Sequence, residues 1–206
     1  MHLNIFRRES DREAANVNLI IMAIFSFFAL LAAFWLSVDK VHLLENPNAA
    51  LPCSINVVLN CASVMKTPQA SLLGFPNSFL GIIGFSIFLF FSITSLMGVK
   101  YTKVILRFLL AGIFAAWIFA LWLFFDSLYV IGILCPWCLL TTLSTTIVFA
   151  TLLRVSLMDN IFDLKKGTLK KIQNQLRKDY DRLFFAAILV ALVLLIVAKF
   201  GDALIS

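Results

Sequence analysis

A chain of 206 residues that is 62% hydrophobic and 14% charged cannot hide its apolar surface in a water-soluble core; soluble domains run nearer half apolar and a quarter charged. Its net charge of +6 would suit nucleic acid, but most of the basic residues sit in three short stretches between apolar runs, which is a pattern of membrane topology. These features exclude a soluble or nucleic-acid-binding protein and predict an all-α polytopic membrane protein.

A helix crossing about 30 Å of hydrocarbon needs roughly 20 residues. In chain order, a basic segment 1–16 with Arg7, Arg8 and Arg12 precedes a first predicted span over residues 14–38. That apolar run exceeds the usual h-region of a cleaved signal peptide. A loop over residues 39–75 follows. A second span starts near Pro76, because Pro68, Gly74 and Pro76 break the front of the run 67–99. Lys100, Lys103 and Arg107 fill the next connection. The third and fourth spans are predicted over 108–125, extended back past Arg107, and 127–153, joined by a short turn near Asp126. Residues 154–182 carry eight basic residues, with Leu164, Leu169, Ile172 and Leu176 at helical spacing; this reads as an amphipathic surface helix. A fifth span covers 183–198 between Arg182 and Lys199, whose stems can snorkel.

The alternate connections hold only Lys40, Lys66 and Lys199. The charge bias therefore predicts a cytoplasmic N-terminus, with the loop 39–75, the turn near Asp126 and the C-terminus outside. All four cysteines then fall on the outer, oxidising side. Cys53 and Cys61 lie in the loop. Cys135 and Cys138 lie in Cys135-Pro136-Trp137-Cys138, at the outer end of the fourth span.

Residues i and i+3 of a helix share a face about 5 Å apart, which suits a disulfide. A thiol at a helix N-terminus is also acidified. At membrane depth such a pair suggests electron exchange between a dithiol and a lipid-soluble quinone. Cys53 and Cys61 would be about 12 Å apart on an unbroken helix, so the chain must bend if they pair. A mobile pair beside a fixed one suits a thiol–disulfide relay. Static disulfides bracing the loop and a four-cysteine zinc site are the competing readings. Zinc is disfavoured by the apolar setting, and no metal is expected. A transporter is disfavoured because ionisable residues are nearly absent from the predicted spans. His2, His42 and Asp126 read as terminal, loop and solvated helix-end residues, and Trp35, Trp117 and Trp122 as packing or interface residues. Trp137 either tunes access to the dithiol or packs locally.

The Cys53-(seven residues)-Cys61 spacing, the run from Ala62 to Ala70, the run Gly74-Phe75-Pro76-Asn77-Ser78-Phe79-Leu80-Gly81 and the Cys135/Cys138 pair together resemble the vitamin K epoxide reductase family. The likeness is to bacterial members and covers residues 17–153. It implies a four-helix bundle around a quinone site, with a fifth transmembrane helix added. It implies that Cys138 meets the quinone, Cys135 exchanges with Cys61, and Cys53 exchanges with a protein partner. Asn77 would hydrogen-bond a quinone carbonyl. Val64 and Met65 would belong to a half-helix capping the pocket, and Thr67 and Leu80 would complete it. The acceptor would be menaquinone or ubiquinone in the bacterial cytoplasmic membrane, with the active site facing outward. Thr67 replaces the usual Ser but keeps the hydroxyl. Thr142 stands where animal members have Tyr, which weighs against epoxide reduction more than against quinone reduction. The order of the cysteine pairs separates the chain from the unrelated quinone-linked thiol oxidases, in which the CxxC pair comes first. No fused thioredoxin-like domain is expected after the fifth span, so the resemblance implies a separate thioredoxin-like (DsbA-like) extracytoplasmic partner. Epoxide or quinone reduction as the main activity, and a non-enzymatic protein with static disulfides, are the alternatives.

Overall fold

Five apolar runs become five helices long and apolar enough to cross a bilayer. The computed structural model describes residues 9–49, 51–55 and 58–205, with side chains described from residue 13 to residue 201. His2, Arg7, Arg8 and the side chain of Arg12 lie outside the described residues. The spans are α1 (Glu9–Glu45), α3 (Asn77–Leu96), α4 (Lys103–Asp126), α5 (Pro136–Met158) and α7 (Tyr180–Ile205). The short α2 (Cys61–Met65) and a 3-10 turn (Pro68–Ser71) lie between α1 and α3, and α6 (Lys166–Arg177) lies between α5 and α7. The chain is an all-α membrane protein.

The helices are arranged inside out relative to a soluble bundle. Large side chains such as Phe27, Phe34, Phe90, Phe108 and Leu194 face outward. Small residues and hydroxyls face inward: Ala15, Ser26, Ala29, Ala33 and Ser37 form a buried stripe on α1. In lipid, close backbone packing and interhelical polar contacts replace much of the hydrophobic drive. α1 accordingly packs along both α3 and α5, and α5 packs along α4. At the α1–α3 crossing, a Cβ on Gly81 would come within 2.9 Å of the Ala33 Cβ, and the Ser37 and Ser78 hydroxyls meet at 2.8 Å. α5 is the innermost span. The hydroxyls of Thr141, Thr142, Thr145 and Thr146 donate to carbonyls four residues back, so burying them leaves no orphaned donor.

Several boundaries differ from the sequence expectation. α1 and α7 start earlier, at Glu9 and Tyr180, and α4 reaches back past Arg107 to Lys103. α1 runs on to Glu45, so residues 39–45 of the expected loop are helical; nothing breaks the helix before Asn46-Pro47. Residues 127–131 do not begin the fourth span. They continue α4 as a π turn, the chain reverses at Gly132 with φ of +69°, and α5 starts only at Pro136, where proline favours the first helical position. Arg154, expected in the connection, belongs to α5 and is buried. Its Nη1 donates to both carboxylate oxygens of Asp181 at 2.7 and 2.9 Å, and its Nη2 donates to the Leu176 carbonyl at 2.8 Å. That contact fastens α5 to α6 and α7. Trp117 serves packing, as expected: it stacks on Phe149 and donates to Thr146 Oγ1 at 3.2 Å.

A candidate dithiol relay beside an apolar cavity

The loop is held against α5 by backbone pairing. Asn60 N–H donates to the Leu134 carbonyl at 2.9 Å, and Leu134 N–H donates to the Val58 carbonyl at 2.7 Å. Asn60 also caps α2: its Oδ1 accepts from Ser63 N–H at 3.0 Å, which is the usual role of Asn at that position. Cys61 is the first residue of α2 and Cys135 is the N-cap of α5. The two backbone bonds of Leu134 form a parallel bridge between Leu59 and Leu134, which brings the starts of α2 and α5 together. The Cys61 and Cys135 sulfurs are 3.5 Å apart.

Between Cys53 and Cys61 the chain bends back on itself through an antiparallel bridge of Ser54 and Asn60. This brings their Cα atoms to 5.6 Å, and the two are joined as a disulfide. Cys135 and Cys138 are thiols. Cys138 N–H donates to Cys135 Sγ at 3.3 Å. The hydrogen bond from the Cys138 thiol, with the N–H groups of Cys138 and Trp137 at the start of α5, holds the Cys135 thiol below its ordinary range. Burial and the charge of Asp39 oppose that shift without reversing it. The acidification at a helix start anticipated from sequence thus falls on Cys135.

Cys138 opens onto a cavity of about 410 Å³ in the middle of the bundle. Its walls are mainly apolar, from Phe85, Phe88, Ile113, Phe119 and Leu139. Val64, Met65, Thr67, Asn77 and Leu80, all expected at a quinone site, line this one cavity together with Cys135 and Cys138. α2 and the 3-10 turn form its roof. Lys40 Nζ ties that roof to α1 by donating to the Met65 carbonyl at 2.6 Å. Asn77 Nδ2 donates to the Gln69 carbonyl at 2.6 Å, and Asn77 Oδ1 accepts from Leu72 N–H at 3.3 Å. An amide has two Nδ2 hydrogens, and only one is used in these bonds. Thr67 Oγ1 donates to the Val64 carbonyl at 2.7 Å, and Thr142 Oγ1 to the Cys138 carbonyl at 3.0 Å. The size and apolar lining fit an organic ring, since ligand sites of this class are of about 300–1,000 Å³ with few polar groups.

Three charged residues here were not singled out as site residues from sequence. Lys40 looked like a loop cation and Asp126 like a solvated helix end. Asp126 instead lines the cavity, with a buried Oδ2 that has no hydrogen-bond partner among the described residues. Asp39 was placed at the start of a loop. Its carboxylate instead lies 3.6 Å from Cys53 Sγ. Recognising that α1 continues past Val38 would have flagged Asp39 and Lys40. His42 and Trp137 line a second cleft with Asp39, next to the loop disulfide. Among the described residues no cluster of His, Cys, Asp and Glu could hold a metal ion.

No curated protein matches the chain. The model of the vitamin K epoxide reductase family matches residues 20–153, a stretch that contains all four cysteines, the whole roof and every residue named above at the cavity. With nearly two thirds of its length covered, this chain belongs to the vitamin K epoxide reductase family of membrane oxidoreductases.

Proposed function

We propose that the protein oxidises dithiols of a separate thioredoxin-like partner and passes the electrons to a membrane quinone. The observation that carries this reading is the unbroken series of sulfurs. Cys53 is bonded to Cys61, Cys61 lies 3.5 Å from Cys135, and Cys135 accepts the Cys138 N–H beside the cavity. Static braces do not need two pairs within exchange distance.

In this scheme a partner thiolate attacks Cys53, the Cys53–Cys61 bond breaks and Cys61 leaves as a thiolate. The partner's second thiolate then displaces Cys53 and leaves the partner oxidised. With Cys135 and Cys138 joined, Cys61 attacks Cys135 and releases Cys138. Cys53 next attacks Cys61 and releases Cys135. The loop disulfide is restored and the electron pair rests on the Cys135/Cys138 dithiol, which is the bonding pattern of the structure. A bound quinone supplies the two-electron, two-proton acceptor that lets this dithiol close again. Asn77 can offer its spare Nδ2 hydrogen to a carbonyl oxygen there, and the apolar walls and roof exclude water.

The same reading places the active site on the outer face of a bacterial cytoplasmic membrane, with residues 17–153 as the catalytic unit. It is supported by the polarity of the bundle. Lys103, Arg107 and Arg154 gather at one end, paired with Asp163, Asp179 and Asp181, and the four cysteines gather at the other. Thr142, whose hydroxyl is spent on its own helix, favours a quinone over an epoxide. The deciding experiment uses the purified chain in detergent. Loss of dithiol from a thioredoxin-like substrate is followed with ubiquinone, menaquinone or vitamin K epoxide. Oxidation driven by a quinone supports the proposal; no oxidation with any acceptor overturns it.

A further inference from the structure

We propose that Asp39 is the acid–base residue of the loop cysteine Cys53, holding its proton while the disulfide is closed and exchanging it as the disulfide opens and reforms. This rests on the relay proposed above and adds to it a group that moves the proton.

Asp39 lies near the outer end of α1 and is 7% exposed. Its Oδ2 is 3.6 Å from Cys53 Sγ. Burying a carboxyl without a partner is costly, and no other hydrogen-bond partner for this side chain occurs among the described residues. A disulfide sulfur has no hydrogen to give. With the loop closed, a hydrogen bond across this contact needs the proton on the carboxyl. With the loop open, the Cys53 thiol can supply it. The contact therefore offers the proton a place in both states of the loop.

The balance is as follows. When the partner's second thiolate attacks the mixed disulfide, the bond to Cys53 breaks. Cys53 leaves with the electron pair and takes the proton from the Asp39 carboxyl. When Cys53 later attacks Cys61 in the Cys61–Cys135 disulfide, the Cys53–Cys61 bond forms and Cys135 leaves as a thiolate. The proton returns to Asp39. Neither step consumes an outside reagent, and Asp39 ends as it began.

The other groups around Asp39 are few. His42 and Glu45 line the same cleft from α1, and His42 acts on Asp39 electrostatically. Lys40 is turned away to the Met65 carbonyl. Cys53 faces it from the loop, Trp137 lines the same cleft, and Cys135 at the start of α5 feels its charge. Among the described residues, Asp39 is the carboxyl placed against Cys53 Sγ.

The test uses the full chain in detergent and has two arms. The first replaces Cys61, Cys135 and Cys138 by Ser, so that iodoacetamide reads Cys53 alone across pH. With Asp39 present, full reactivity should require a higher pH than in the Asp39→Asn variant, because the carboxylate shares and retains the proton. His42→Gln should leave the difference intact. Superimposable profiles with and without the Asp39→Asn substitution, or a difference that vanishes with His42→Gln, overturn the proposal.

The second arm keeps all four cysteines and follows dithiothreitol oxidation with a short-chain ubiquinone. Asp39→Asn should slow turnover about tenfold and flatten its pH profile, with partial rescue by Asp39→Glu. That is less than is usual for acid–base catalysis, because a thiolate leaves readily. A slowed Asp39→Asn variant with an unchanged profile, or no rescue by Asp39→Glu, marks Asp39 as merely structural and overturns the proposal. If the unsubstituted chain passes no electrons to quinone, the relay fails, and the alkylation arm still decides the coupling of Asp39 to Cys53.

Discussion

Asn77→Ala tests the cavity most directly, because this side chain holds the roof and faces the cavity. Its Nδ2 and Oδ1 hold the Gln69 carbonyl and the Leu72 N–H of the roof. Two such bonds at a partly exposed site contribute about 1 kcal/mol each. In the proposed function, its second Nδ2 hydrogen is the donor for a carbonyl oxygen in the cavity. Loss of one preorganised donor of that kind costs about 3 kcal/mol of transition-state stabilisation, or about a hundredfold in rate. The alanine variant should therefore lose about two decades in kcat and also raise KM as the roof loosens. Asn77→Asp keeps an acceptor for Leu72 N–H but loses both Nδ2 hydrogens, the one on the Gln69 carbonyl included, so its kcat should fall as far as that of alanine. Steady-state oxidation of dithiothreitol at saturating ubiquinone measures both variants. A loss below twofold in kcat for either would refute the role of Asn77.

Three more outcomes follow from the geometry. Cys138→Ser should abolish quinone reduction, and because Cys135 then lacks its resolving partner while Cys61 lies 3.5 Å away, a Cys61–Cys135 disulfide should accumulate; peptide mapping under non-reducing conditions that never finds this bond would count against the relay. Gly81→Ala should destabilise the bundle by about 1–3 kcal/mol, as expected for overpacking, since its Cβ would lie 2.9 Å from that of Ala33. Gly84→Ala, where a Cβ would meet nothing within 4 Å, should not, so equal melting temperatures in detergent for the two variants would contradict the packing described. Asp159, just past the end of α5, is pushed up to about 7 by burial. A raised carboxyl takes up its proton on folding, so its contribution is most favourable below the ordinary carboxylate value of 3.8 and is lost as pH rises towards about 7. Asp159→Asn should thus melt higher than the parent at pH 8, with the gap closing on acidification below pH 4; a gap that does not depend on pH would show that burial is not the cause.

How much was legible in the sequence differs from residue to residue. The apolar runs and their basic borders are local signals, so the number and order of the spans could be read directly. Helix ends could be read only where a breaker marks them. Pro76 gave the start of α3, but the absence of one after Val38 let α1 run to Glu45, and Gly132 with Pro136 moved the start of α5. Val64, Met65, Thr67, Asn77 and Leu80 could be named from family likeness, and they line a single cavity. That Asn77 also binds the roof through Gln69 and Leu72 was not visible, because backbone partners leave no mark in a sequence.

By itself, then, the sequence determined a membrane-embedded helical chain with two cysteine pairs. Composition fixes the solvent that a chain requires, and i to i+3 spacing fixes a helical pair. The tertiary structure alone decided that the pairs meet. Cys61 and Cys135 are 74 residues apart, and their contact depends on the parallel bridge of Leu59 with Leu134, an interaction between backbones that no side-chain pattern encodes. It also decided that Asp39 lies against Cys53. That contact requires α1 to extend beyond its apolar run, which it does by about two turns, and the loop to fold back over its end, and both are settled by packing rather than by local propensity.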